Sequence, residues 1–226
     1  MKTPLVLISG LLSNASLWQH QARHLDEIAE IEIFSPTQNS SDKMVEAFLK
    51  VAPPKFALAG HSMGGWLCIE ILRAAPSRVT KLCLLNTSAR DDSNEKKIRR
   101  QEMILRSSKG QFKEITRDIA GLFTQNPLIK QEVENMFLDV GCETFICQEE
   151  AMMNRKSCEY ILPTIRCPAL VIHAAQDQNF SLEEHMELAE KMPNAKLAIV
   201  EDSGHMSPLE MPQAVTSLLR FWLTYF

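Results

Sequence analysis

No run of this 226-residue chain is apolar for long enough to span a bilayer, which excludes an integral helical membrane protein. Nor is there a basic excess: 24 Lys and Arg stand against 28 Asp and Glu, a formal charge of −4, so neither nucleic acid nor an anionic membrane surface is an expected partner. The six cysteines (Cys68, Cys83, Cys142, Cys147, Cys158 and Cys167) form no C-x-x-C pair and no zinc-ligand spacing. A disulfide framework is thereby disfavoured, and reduced thiols in a cytoplasmic protein are the simpler expectation. Cys68 and Cys83 fall in apolar elements, where cysteine behaves as a small hydrophobe. A glycine-rich phosphate loop is missing. His20 and His24 lie four apart but lack the intervening glutamate and third ligand of a metal helix. Repeats, low-complexity tracts and a signal-peptide pattern are absent too; Met1-Lys2-Thr3-Pro4 leads almost at once into a strand pattern. What remains is 45% hydrophobic and 23% charged, the balance of a soluble globular protein with one substantial core.

The most informative feature present is Gly60-His61-Ser62-Met63-Gly64, a G-x-S-x-G pattern. Before it, Phe56-Ala57-Leu58-Ala59 has strand length; after it, Leu67, Ile69, Ile71, Leu72 and Ala75 fit an apolar helix. A serine on such a strand-to-helix turn is held in a strained conformation with its hydroxyl clear of the sheet. Glycines are required beside it because side chains would collide with the neighbouring elements. Ser62 is therefore the candidate nucleophile, and the Met63 amide a candidate oxyanion donor at a helix N-terminus. The bland alternative, a serine in a tight turn without chemistry, accounts less well for that context. His61 reads as structural.

Serine needs a base, and the base an orienting acid. Ala169-Leu170-Val171-Ile172 has a buried-strand signature and is followed by Asp177. Lys196 to Val200 reads as another strand and is followed by Gly204-His205. In an open parallel sheet the C-terminal strand ends share one edge, so Ser62, Asp177 and His205 can converge there. Asp202, three residues before His205, competes locally for the acid's role but sits too near in sequence to reach behind the imidazole. Asp91 and Asp92, after the fourth strand, are weaker alternatives. The second oxyanion amide is expected from the turn after the first strand, with Leu11 as first candidate and Leu12 second.

These pieces resemble the α/β-hydrolase superfamily, in its compact single-domain form. The resemblance rests on Leu5 to Leu12, Gly60 to Gly65, Ala174 to Asp177 and Gly204-His205-Met206-Ser207-Pro208-Leu209-Glu210, and so spreads over nearly the whole chain. Two departures stand out. Ser9-Gly10 replaces the usual His-Gly after the first strand. The glycine-free Ser35-Pro36-Thr37-Gln38-Asn39-Ser40-Ser41 replaces a glycine-rich turn after the second.

The expected fold class is α/β, a mainly parallel sheet of about six strands with helices on both faces. Strands are expected near 4–8, 31–34, 56–60, 80–86, 168–174 and 195–200; helices near 16–29, 42–52, 63–75, 182–191 and 209–225. Residues 1–90 and 163–226 then form the core. Residues 91–162, which show only helical patterns (Asp91–Lys109, Phe112–Phe123, Ile129–Val140 and Glu143–Lys156), form a cap inserted after the fourth strand. Trp18 and Trp66 read first as core and second as walls of a substrate pocket. Leu12, Met152, Met153 and Met206 are further candidates for an adaptable apolar wall. In the cap, Lys96-Lys97-Ile98-Arg99-Arg100, with Arg106 and Lys109, is interleaved with Asp91, Asp92, Glu95 and Glu102. A solvated helix face is the favoured reading of that run, and docking of an acidic carrier protein or anionic substrate the sharper one. The triad and the resemblance together imply a hydrolase of small or medium acyl esters that needs no cofactor or metal. Rivals with the same triad are C–C bond hydrolases, thioesterases, perhydrolases and menaquinone-pathway-like lyases; a ligand sensor that retains the triad, or a bare scaffold, stands outside enzymes.

Overall fold

The computed structural model describes residues 2–226. Its first half runs β1 (Thr3–Ile8), α1 (Gln19–Leu25), β2 (Ala29–Phe34), α2 (Ser41–Val51), β3 (Phe56–His61), α3 (Met63–Ala74) and β4 (Val79–Leu85). Four consecutive helices follow: α4 (Asn94–Arg106), α5 (Phe112–Phe123), α6 (Pro127–Val140) and α7 (Cys142–Met153). The chain then returns through β5 (Ala169–Ala174), α8 (Leu182–Lys191), β6 (Ala195–Val200), the short α9 (Ser207–Glu210) and α10 (Pro212–Tyr225).

The six strands form one sheet in the order β2-β1-β3-β4-β5-β6, and every neighbouring pair is parallel. Parallel strands covered on both faces should be apolar throughout rather than alternating, and β3 and β5 are buried at every position. Helices cover both faces: α2 packs on α3, and α1 on α10. Strand order reverses between β1, which leads to β2 on one side, and β3 on the other. The crevice at that reversal is where open α/β sheets place their ligands.

Four expected boundaries are corrected. The helix read over 16–29 is a 3-10 turn (Ala15–Trp18) plus the short α1, and β2 begins at Ala29 rather than near 31. Pairing of Thr3 with Ala29 and donation from the Thr3 amide to the Ile28 carbonyl extend the strand into the helical pattern, so sheet pairing overrides local periodicity. The helix read over 209–225 is two, because Pro212 has no N–H to continue a turn and instead opens α10. Between β4 and β5 the described residues contain no strand, only α4–α7, a π-helical turn (Ser107–Gln111) and a 3-10 turn (Glu159–Thr164). The last helical pattern, read to Lys156, ends at Met153.

Candidate active site

Ser62 follows β3 directly and caps α3, with φ 55° and ψ −121°. This backbone conformation is costly for a non-glycine residue, on the order of 1–3 kcal/mol, and must be enforced by its surroundings. The enforcement is visible. The Ser62 amide donates to the Leu85 carbonyl at 2.9 Å, and the Thr87 hydroxyl donates to the Ser62 carbonyl at 2.6 Å. The turn also needs close backbone approach: a Cβ on Gly60 would lie 2.3 Å from the Gly64 carbonyl oxygen, and one on Gly64 2.4 Å from that of Ile8.

His205 arrives from the loop after β6. Its Nε2 lies 2.9 Å from the Ser62 hydroxyl, and its Nδ1 lies 2.9 Å from Asp177 Oδ2. The imidazole thus donates through Nδ1 to the carboxylate and faces the hydroxyl with its other nitrogen. Asp177, after β5, is also held through Oδ1, which accepts from the Asn179 amide at 2.8 Å. Burial raises the Asp177 carboxyl, but attraction to His205 and the bonds from His205 and Asn179 outweigh it and hold the carboxyl below its ordinary range. Asp202 is exposed at φ 54° and takes no part. Asp92 is engaged elsewhere, in an ion-pair network with Arg100 and Arg155.

The His205 loop is gripped through its backbone. Glu210 accepts from the amides of Gly204 and Met206, both at 3.0 Å. The His205 amide donates to the Phe123 carbonyl at the end of α5, so the helical segment 94–153 contacts the imidazole-bearing loop directly. The His205 carbonyl accepts from Asn86 Nδ2 at 2.8 Å and from His61 Nε2 at 2.7 Å. Asn86 stands at φ 46° just past β4, and its side-chain oxygen accepts from the Ala174 amide, tying three strand ends together. His61 is fully enclosed, and burial, with His205 nearby, pushes its imidazole down to about 3, so it stays neutral.

A cavity of about 240 Å³ opens over Ser62 and His205. Leu11 and Met63 line it, and among the described residues neither of their amides has a partner within the protein. The Leu12 amide, the second oxyanion candidate, is occupied: it donates to Gln148 Oε1 at 2.8 Å. Gln148 also donates to the Pro36 carbonyl, stitching α7 to the loops after β1 and β2.

The sequence-derived pocket is corrected in most of its members. Trp18, Trp66, Leu12 and Met206 are 0% exposed and lie in the core, off the cavity. Trp18 stands edge-on to His61 instead. Met153 is also off the cavity while Met152 lines it, since one residue along a helix turns a side chain by about 100°. The aromatic walls are those missed in the sequence; among the charged ones, Lys96, Arg99 and Arg100 belong to the basic run whose sharper reading is an acidic carrier or anionic substrate. Phe123 and Phe180 approach the His205 ring at 4.4 and 5.8 Å between centroids. Asp92, Lys96, Arg99, Arg100, Glu149 and Arg155 supply the charges. Part of the basic run 96–100 therefore faces the cavity as well as solvent.

A family pattern described as the alpha/beta hydrolase family matches residues 5–218, nearly the whole chain. The chain belongs to this family. Among characterised relatives, an (E)-2-((N-methylformamido)methylene)succinate hydrolase from Acinetobacter baylyi is 24% identical over 97% of this chain and 90% of its own length. Two solved structures superpose closely. A malate-bound thermophilic esterase from Thermogutta terrifontis has a TM-score of 0.88 at 24% identity, covering 99% of this chain and 90% of that one. An enol-lactonase from Burkholderia xenovorans has a TM-score of 0.87 at 20% identity, covering 99% and 92%. At these identities the superpositions establish the shared fold.

Proposed function

We propose that this alpha/beta hydrolase is a serine esterase that cleaves small acyl esters through an acyl-enzyme, with Ser62 as nucleophile, His205 as base and Asp177 as orienting acid. The observation that carries this reading is the chain of two 2.9 Å contacts, Asp177 to His205 to Ser62, ending at a cavity. As the hydroxyl attacks a carbonyl carbon, His205 Nε2 takes its proton, and the buried Asp177 carboxylate stabilises the imidazolium and fixes its tautomer. The carbonyl oxygen becomes an oxyanion that the unpartnered Met63 and Leu11 amides receive, aided by the N-terminus of α3. His205 returns the proton to the departing alcohol oxygen. A water, deprotonated by the same nitrogen, then attacks the acyl-serine and releases the acid and free Ser62. No metal or cofactor enters these steps.

The relative named as a hydrolase of a succinate derivative, the esterase and the enol-lactonase all carry hydrolase names, two of them of ester type, which favours ester hydrolysis over the lyase and sensor readings. A cavity near 240 Å³ also sits below the roughly 300–1,000 Å³ of sites for drug-sized ligands, which favours a small substrate. The test is hydrolysis of p-nitrophenyl esters across acyl length, with fluorophosphonate labelling. Wild type should turn over short esters and be labelled, and Ser62→Ala should lose on the order of 10⁴–10⁶-fold in kcat and all labelling. Folded wild type that does neither, or activity that survives the substitution, sinks the proposal.

A further inference from the structure

The chain carries a net charge of −4, yet its active-site cavity has the opposite sign. Lys96, Arg99, Arg100 and Arg155 line it against two carboxylates, Asp92 and Glu149. Both oxygens of Asp92 and one of Glu149 are spent on internal partners. Asp92 accepts from Arg155 through one oxygen (2.8 Å) and from Arg100 through the other, and Glu149 accepts from Arg100 through Oε2 (2.7 Å) while its Oε1 is buried without a partner and out of a ligand's reach. The surplus lies on the donor side. A guanidinium has five N–H donors. Arg100 uses Nε and Nη1, and Arg155 uses Nη2 and keeps Nε buried without a partner. Each leaves one terminal nitrogen, Nη2 of Arg100 and Nη1 of Arg155, without a partner among the described residues and open to solvent. Arg99 and Lys96 are exposed on the same cavity and form no ion pair among the described residues.

Two arginines fixed by carboxylates and left with free terminal N–H groups form a rigid, pre-oriented donor set, which suits a planar carboxylate and loses little entropy on binding it. A purely structural staple would use up those donors, and would not require Lys96 and Arg99 to add uncompensated charge beside it. We infer that the cavity selects small esters that carry a free carboxylate elsewhere in the molecule, held by Arg100 and Arg155 with Arg99 and Lys96 reinforcing the field. This names the substrate class of the esterase reading and rests on it only for the word ester.

Binding separates the two. On Ser62→Ala protein, calorimetry should show monomethyl glutarate, an anion, binding at least about ten-fold more tightly than neutral dimethyl glutarate, with affinity falling as salt rises. Arg155→Gln, checked for folding by circular dichroism, should remove most of that preference. Arg99→Gln, which leaves the ion-pair network intact, should reduce it a few-fold. Equal binding of the two esters, no binding of either, or tighter binding of methyl phosphate than of monomethyl glutarate overturns the inference. Loss of ester turnover and fluorophosphonate labelling in wild type would overturn the esterase reading alone, and leaves the binding result to stand or fall by itself.

Discussion

The two walls of the cavity are built by opposite means. On the sheet side, Ser62, Asp177 and His205 are placed by backbone: a strained conformation at Ser62, a left-handed turn at Asn86, amide-to-carbonyl bonds, and glycines that admit close approach. On the helical side, Asp92, Arg100, Glu149 and Arg155 are placed by each other's charges. Backbone placement fixes an atom within tenths of an ångström and tolerates little change, which suits covalent chemistry. Charge placement depends on desolvation being matched by pairing, which suits recognition of an ion. The difference suggests that substitutions on the sheet side act on turnover, and substitutions on the helical side on stability and substrate choice.

The comparison is sharpened most by Asp177→Asn, expected to reduce kcat by about 10⁴-fold with little change in the urea unfolding midpoint. An amide keeps the size of the carboxylate but favours the wrong imidazole tautomer at His205, whose Nδ1 must donate. Stopped or initial-rate assays on a short p-nitrophenyl ester check it. A fall under ten-fold would mean that the acid lies elsewhere. On the other wall, Arg155→Met should cost about 3 kcal/mol in urea unfolding, at the low end for a broken buried pair because Arg100 still holds Asp92. Burial raises the Asp92 carboxyl, yet Arg100 and Arg155 outweigh it and hold it low; removing one of them weakens that hold. If kcat on a neutral ester falls as much as in the Asp177 variant, the division between the walls is wrong.

The same division explains what was legible in the sequence. Ser62, Asp177 and His205 each follow a strand by a few residues, so topology alone brings them together once the strands are recognised. Glycines around Ser62 leave a local trace for the same reason. The Gln148 bridge between the Leu12 amide and the Pro36 carbonyl leaves none, because its partners are 136 and 112 residues away. Likewise, a basic run interleaved with acids looks like a solvated helix face until α4 and α7 pack together and bring Glu149 to Arg100. Pocket residues failed for a related reason: whether Met152 or Met153 faces substrate is a matter of helix rotation, which apolar composition does not encode.

A smaller effect comes from acid. His61 is enclosed and neutral in the folded protein, with its imidazole pushed down to about 3, whereas an unfolded chain takes up a proton near 6.5. Between those values the unfolded state holds more protons, so stability falls as pH falls, by about 1.4 kcal/mol per unit. Lowering pH from 7 to 5 should therefore cost about 2 kcal/mol from His61. Buried His185, also pushed down by desolvation, adds in the same direction. Asp177 and Asp92 are held below the ordinary range, so their contribution is retained through this window and is lost only in stronger acid. Urea titrations at the two pH values test it, and His61→Gln should flatten the slope. An unchanged slope would place the acid sensitivity in the other histidines held down by burial, His185 and His173, instead.

The smallest expected effect is the most discriminating within the sheet-side wall. Asp202 is only three residues from His205 in sequence, yet its side chain is exposed and its backbone, at φ 54°, turns the loop before the imidazole is reached. Asn adopts this left-handed conformation as readily as Asp, so Asp202→Asn removes the charge without straining the turn. A screened surface charge at that position should change kcat/KM by less than about two-fold at 0.15 M salt. Asp177→Asn makes the identical chemical change to a buried carboxylate bonded to Nδ1. The ratio of the two effects, measured with one ester, thus separates being near the histidine in sequence from being bonded to it. Comparable losses in both variants would mean that the loop's net charge, rather than the Asp177–His205 bond, supports the base.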